Sequence, residues 1–170
     1  MFLEMLRERG IEGLGIDRDP DMVAQARARG VEARAGDVRT LEDYASAFDG
    51  IHAAHVLETM WGDELVAFFS ACKRALRPDG LLIVRAWNWE NRAVREGTFW
   101  LELSHKRPYP LTALREALVD LGMRVVGAGY EPGGQQDVYL VARAPASPPP
   151  AKREKSARPL VVWEGELQTL

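Results

Sequence analysis

The sequence predicts an α/β fold, a doubly wound and mostly parallel sheet with one antiparallel strand toward its C-terminal end. Three observations carry this. Residues 14–38, LGIDRDPDMVAQARARGVEARAGDV, run strand, turn, helix, turn, strand, and such a unit is parallel with a right-handed crossover. Leu81 to Ala86 follow a helical stretch as an apolar run broken only by Arg85, the pattern of a strand covered on both faces. Arg124–Tyr130 and Asp137–Ala142 are joined by Glu131-Pro132-Gly133-Gly134, a turn short enough to make that pair antiparallel.

Length and charge bound the functions. With 170 residues and 46% hydrophobic content, the chain reads as one domain with appendages. A net charge of −3 gives no broad basic field for nucleic acid. No apolar run approaches the roughly 20 residues that span a bilayer, so no membrane partner is expected. The opening MFLEMLRERG is too short and too charged for a secretory signal. Cys72 is the single cysteine, which excludes an internal disulfide and fits a reducing, cytoplasmic setting.

The elements follow in order. Residues 1–10 read as a helix closed by Gly10, with Phe2, Leu3 and Leu6 on one face. Gly13 to Ile16 form a short strand ending at Asp17. Asp19 caps the next helix, and Pro20 suits its first turn, where the missing N–H is not needed. Met22, Val23 and Ala26 supply the inner face, and Gly30 stops the helix. Val31 to Ala35 alternate as a strand that Gly36-Asp37 ends. Thr40-Leu41-Glu42-Asp43 is a capping-box pattern for a short helix to about Phe48. Ile51 to His55 form the next strand; His52 and His55 point to opposite faces, cannot share one ion, and leave no metal site expected.

Asp63 to Leu76 is the clearest helix, with Leu65, Phe68, Phe69, Cys72 and Leu76 on one stripe. Cys72 lies on that stripe and reads as a buried apolar residue rather than a nucleophile. Trp87-Asn88-Trp89-Glu90-Asn91 follow the Leu81–Ala86 strand at its carboxyl end, where tryptophans either stack on a ring or cover a core. Leu111, Leu114, Leu118 and Leu121 share a helix face that stops at Gly122. Residues 1–143 thus form the main domain, and 144–159, proline-rich and basic without an apolar anchor, an extended linker. Residues 160–170 open with an apolar strand and are expected to begin a second domain or a tail.

Asp17 and Asp37 are the leading functional candidates. Each sits where a parallel strand gives way to a loop, and in open α/β sheets ligands bind outside those carboxyl ends. A carboxylate there accepts two hydrogen bonds from adjacent ribose hydroxyls, and one a strand further on can accept from an adenine amino group. Both are also ordinary turn or cap residues.

The segments GIDRDPDMVAQARARG, GDV, FDGIHAAHVLE and LRPDGLLIV resemble, in order and spacing, class I S-adenosylmethionine-dependent methyltransferases, over about residues 1–143. The resemblance implies a Rossmann-like fold, S-adenosylmethionine as cofactor, and cofactor contacts at Asp17 and Arg18, at Asp37 and Val38, and at His55, there mostly through backbone. His55-Val56-Leu57-Glu58 matches the segment after the fourth strand, with Thr59 where the family often has a second histidine. Glu102-Leu103-Ser104-His105-Lys106-Arg107-Pro108-Tyr109 resembles the D-P-T-H-x-R-P-Y segment of small-molecule and glycan methyltransferases, and makes His105 the candidate base or acceptor-positioning group. In that family a first strand and glycine-rich loop precede the opening helix and lie at the centre of the sheet. No residues here match them, so the central first strand is expected to be missing and the N-terminus truncated.

The resemblance implies methyl transfer to an oxygen or nitrogen of a small molecule, a sugar or glycan by the tryptophans and the tail. VVWEGE resembles the opening of glycosyltransferases fused behind such domains. Two other readings stay open: a non-catalytic methyltransferase-like scaffold, and an NAD-binding oxidoreductase, since an acidic residue after the second strand also serves NAD.

Overall fold

The computed structural model describes residues 2–133, 135–146 and 160–164. The helices are α1 (Phe2–Glu8), α2 (Pro20–Ala28), α3 (Gly62–Ala75), α4 (Arg92–Glu96) and α5 (Leu111–Asp120). The strands are β1 (Gly13–Asp17), β2 (Glu32–Ala35), β3 (Phe48–Ala54), β4 (Leu76–Trp87), β5 (Arg124–Tyr130), β6 (Asp137–Arg143) and β7 (Leu160–Glu164). They form one seven-stranded sheet in the order β2-β1-β7-β3-β4-β6-β5. β1 pairs in parallel with β2, and β3 with β4, while β6 runs antiparallel to both β4 and β5. The expected mixed sheet with one reversed strand is therefore present.

Among the described residues no strand precedes α1, and the place in the sheet where a strand was expected to be missing is taken by a segment from the other end of the chain. β7 occupies the position between β1 and β3 and is parallel to both, with Leu14 opposite Val161 and Ile51 opposite Val161 on either side. Two strands that face each other across one empty position would leave two rows of unpaired N–H and C=O groups. The extended backbone of Leu160–Glu164, whose centre is the β-branched pair Val161-Val162, pairs with both rows. Leu160–Glu164, read from sequence as the start of a second domain or tail, is in this structure part of the sheet; residues 147–159 of the expected linker and residues 165–170 lie outside the described ones.

One face of the sheet carries the main core. Ile51 and Ala53 of β3, Leu82, Val84 and Ala86 of β4, and Val138, Leu140 and Ala142 of β6 meet Leu65, Phe68, Phe69 and Cys72 of α3 and Leu114 and Leu118 of α5. Cys72 is fully buried, as its stripe position implies. β4 departs from its reading as a strand covered on both faces: burial alternates along it, and Leu81, Ile83 and Arg85 are only half-buried. α1 lies instead over β1, where an added Cβ on Gly15 would come within 2.8 Å of Leu3, and over β3, where Phe2 packs on His52. Glycine at that position is what lets the helix approach so closely.

The helix expected over Thr40–Phe48 is a 3₁₀ turn, Val38–Asp43, capped by Asp37 rather than Thr40. β3 begins at Phe48, because Phe48 already pairs with Leu76.

Candidate cofactor and acceptor site

Asp17, Asp37 and His55 stand along the carboxyl edge of the parallel strands. Asp17 ends β1, and its Oδ1 accepts the Asp19 amide at 2.8 Å. Burial pushes the Asp17 carboxyl above its usual value, against the pull of the Asp19 and Arg18 amides. A half-desolvated carboxylate with spare acceptor capacity at a strand end favours a ligand that brings hydroxyl donors.

Asp37 follows β2, and its Oδ1 accepts the Arg39 amide at 2.9 Å. Its Oδ2 pairs with the Arg39 guanidinium at 2.9 Å, and that hydrogen bond holds the carboxyl below the usual range. The Arg39 side chain is 80% exposed, so this pair is weak and easily displaced. Arg18, Asp37, Val38 and Arg39 line a cleft of about 580 Å³ together with Thr59, Met60 and Phe68 of α3. Asp17 immediately precedes Arg18 in the chain. The hydroxyl of Thr59 donates to the Val56 carbonyl at 2.8 Å, which pins the turn that closes the cleft.

His55 lies one residue beyond β3, with a left-handed φ of 52° that a non-glycine residue adopts only when its surroundings impose it. Its amide donates to the Arg85 carbonyl at 2.9 Å. Its ring packs on Trp87 and lies between two buried carboxylates, with Nε2 3.4 Å from Asp137 Oδ2 and Nδ1 3.9 Å from Glu58 Oε1. Asp137 also pairs with Arg85, which pairs in turn with Glu131 at 3.0 Å. Glu58 Oε1 accepts the Trp87 amide at 2.6 Å.

His105 sits apart from these groups. Its Nδ1 is 2.8 Å from the Phe99 carbonyl, and its ring packs on Phe99, so this nitrogen braces the loop and leaves Nε2 for other partners. The same loop is anchored by the Lys106 and Arg107 amides, which donate to the Glu58 carbonyl at 2.8 and 3.2 Å. Tyr109 donates its hydroxyl to the Met60 carbonyl at 2.9 Å. Trp89 meets Phe99 and Trp100 edge-on, and Trp100 is 59% exposed at the loop's outer rim.

The structure thus gathers Arg18, Asp37 and Val38 in one cleft, sets Asp17 beside it, and places His55 farther along the same edge. Sequence reasoning missed Glu58, Arg85 and Asp137 as partners of His55. A charged residue opening the apolar run DVYLVAR was the available signal for Asp137.

This donor set fits S-adenosylmethionine: two strand-end carboxylates for a nucleoside, Asp37 in the wall of the cleft and Asp17 next in the chain to Arg18, which also lines it. A family model described as a methyltransferase domain matches residues 1–84. The chain is a class I S-adenosylmethionine-dependent methyltransferase. Solved structures of such enzymes share its fold. One from Archaeoglobus fulgidus aligns with a TM-score of 0.73 at 18% identity, covering 84% of this chain and 80% of its own. One from Mesorhizobium loti aligns with a TM-score of 0.69 at 18% identity, covering 84% and 85%. A [4+2]-cyclase, SpnF, aligns with a TM-score of 0.67 at 19% identity, covering 86% of this chain and 70% of its own. No curated protein gives a match to this sequence. Among the described residues no helix is long and apolar enough to cross a membrane.

Proposed function

We propose that this methyltransferase places the methyl group on an oxygen or nitrogen of a small molecule, a sugar or glycan being the acceptor its surface suits best. The observation that carries the cofactor side is the desolvated Asp17 carboxylate beside a cleft lined by Arg18, Asp37 and Val38. Asp17 holds the ribose hydroxyls, Asp37 and Val38 the adenine, and the backbone at His55 passes the methionine end.

When bound, the cofactor supplies a methyl group on a sulfonium. This chain's residues then work mainly by alignment, which is the larger part of catalysis for an activated donor. The acceptor hydroxyl or amine loses a proton as its bond to carbon forms. His105 is the residue proposed to position that group or take the proton through Nε2, the nitrogen its Phe99 contact leaves available. Trp89 and the exposed Trp100 support the sugar reading, because indole faces stack on pyranose rings.

The test is methyl transfer to a panel of sugars, glycosides, phenols and amines, read as release of S-adenosylhomocysteine. Turnover of a sugar is expected, and His105→Ala should lower its rate by about 10²–10⁴ without weakening cofactor binding. Wild-type rates in that variant would return His105 to bracing its loop, and saturable binding of NAD in place of S-adenosylmethionine would move the protein to the oxidoreductases.

A further inference from the structure

The loop after α4 sorts its large apolar side chains into two groups. Phe99 is fully buried, whereas Trp100 is 59%, Leu101 72% and Leu103 96% exposed. Single exposed leucines are ordinary on a folded chain; three large apolar side chains within four positions form a patch that calls for a partner.

Fixed backbone imposes that exposure. The Trp100 amide donates to the Gly97 carbonyl at 2.9 Å, and its indole Nε1 to the Arg95 carbonyl at 2.8 Å. The Ser104 amide donates to Glu102 Oε1 at 3.0 Å, and the His105 amide to the Glu102 carbonyl at 3.2 Å. With the anchors at Glu58 and Phe99, these bonds hold Leu101 and Leu103 in water rather than leaving them free to fold inward.

Cations flank the patch. Residues 92–107 hold Arg92, Arg95, Lys106 and Arg107 against Glu96 and Glu102, an excess of positive charge on a chain whose net charge is −3. Glu96 is taken up by Arg92 at 2.9 Å, Glu102 by the Ser104 amide, and Lys106 pairs with Glu64 at 2.9 Å. Among the described residues Arg95 and Arg107 have no ion-pair partner, and the Arg107 guanidinium lies 5.4 Å over the Tyr109 ring.

The shape of the patch decides the kind of partner. A small ligand needs a concave site that covers most of its surface, which a leucine 96% exposed does not offer. A stable protein interface needs roughly 1,200 Å² or more, beyond the reach of three side chains. A bilayer surface needs neither. Apolar side chains enter the acyl boundary, an indole settles at headgroup level, and arginine and lysine meet anionic headgroups. Such contact requires no spanning helix, and none is found among the described residues.

We propose that residues 95–107 form a membrane-surface contact, in which Leu101 and Leu103 insert into an anionic bilayer and Arg95 and Arg107 hold its headgroups. The loop that carries His105 then lies against the lipid. The proposal is independent of which acceptor the enzyme methylates.

Co-sedimentation of the full chain with vesicles tests it. Vesicles of phosphatidylcholine alone are compared with vesicles of phosphatidylcholine mixed with phosphatidylglycerol. Partitioning should be about tenfold stronger on the mixed vesicles and should weaken as salt is added. Leu101→Ser/Leu103→Ser should lower it by about tenfold or more with an unchanged circular dichroism spectrum, because both side chains stand in water in the folded chain. Arg95→Glu should narrow the preference for the mixed vesicles. Val66→Ser and Val119→Ser, on exposed side chains of α3 and α5, should change nothing. A wild type that stays in the supernatant with mixed vesicles, or equal partitioning by the leucine variant, would overturn the proposal. So would a wild type that sediments as a dimer in the ultracentrifuge while the leucine variant is a monomer, which would make the patch a contact between copies.

Discussion

The two sides of the sheet are built differently. On one side of β7, the pair β1–β2 with α1 and α2 carries the cofactor candidates, yet α1 buries only Leu6, α2 only Val23 and β2 only Ala33. On the other side, β3, β4 and β6 with α3 and α5 hold most of the core, including the fully buried Phe69, Leu82, Leu114 and Leu118. The first side is a scaffold for loop chemistry; the second supplies the stability. Between them, β1 and β3 do not pair directly, and β7 is the strand that hydrogen-bonds to both. Nucleoside recognition needs strand ends in the right places more than it needs a large core, so the thinner side can serve if it is tied to the thicker one.

The largest expected effect comes from cutting that tie. A chain ending at residue 146 loses both β7 ladders. Its loss of stability should be a sizeable part of the roughly 5–15 kcal/mol that holds a domain together. Thermal melting should show a broadened, non-cooperative transition, with the β1–β2 amides losing exchange protection before those of β3 and β4. Equal protection on both sides would mean that the halves are joined by something other than β7.

Phe69→Ala comes next. Phe69 is fully buried in α3, and truncating such a residue costs about 3–5 kcal/mol. Urea unfolding should show the midpoint falling with cofactor affinity nearly unchanged at temperatures where the variant stays folded. A selective loss of affinity would mean that the thick side shapes the nucleoside site directly.

A smaller effect concerns His52, where the two sides meet under Phe2. Burial holds its imidazole below the ordinary value of 6.5, and Arg85 and His55 push the same way. The unfolded chain then takes up a proton before the folded one does. Stability should be full above pH 6.5 and decline as pH falls toward the lowered folded value. His52→Phe should flatten that decline in a pH series of thermal melts; an unchanged slope would assign the acid sensitivity elsewhere.

Much of this was legible in the sequence, and the limits have physical causes. The Leu65–Cys72 stripe, the Asp19-Pro20 helix start and the short turn after Tyr130 are local signals, and each element formed where its pattern pointed. The pairing of β7 was not legible, because the short apolar run Leu160–Trp163 states that it is a strand without stating its neighbours. Asp37 was readable both as a ligand and as a cap, but its pairing with the Arg39 guanidinium was not, since side-chain direction on an irregular turn leaves no periodic signal. The His55–Glu58–Asp137 cluster depends on the register of β4 against β6, which sets Trp87 opposite Asp137, and long-range register leaves no trace in local periodicity.

Calorimetric titration of S-adenosylhomocysteine into the wild-type protein and into Asp17→Ala, each first confirmed folded by circular dichroism, tests the site most directly. The account predicts saturable binding by the wild type and a loss of about 1.5–3 kcal/mol in the variant, the range for a hydrogen bond to a charged group. It also predicts that wild-type affinity weakens as pH falls through the raised Asp17 value, because the protonated carboxyl accepts hydroxyl donors poorly. Affinity indifferent to both the substitution and the pH would contradict the assignment of the ribose to Asp17.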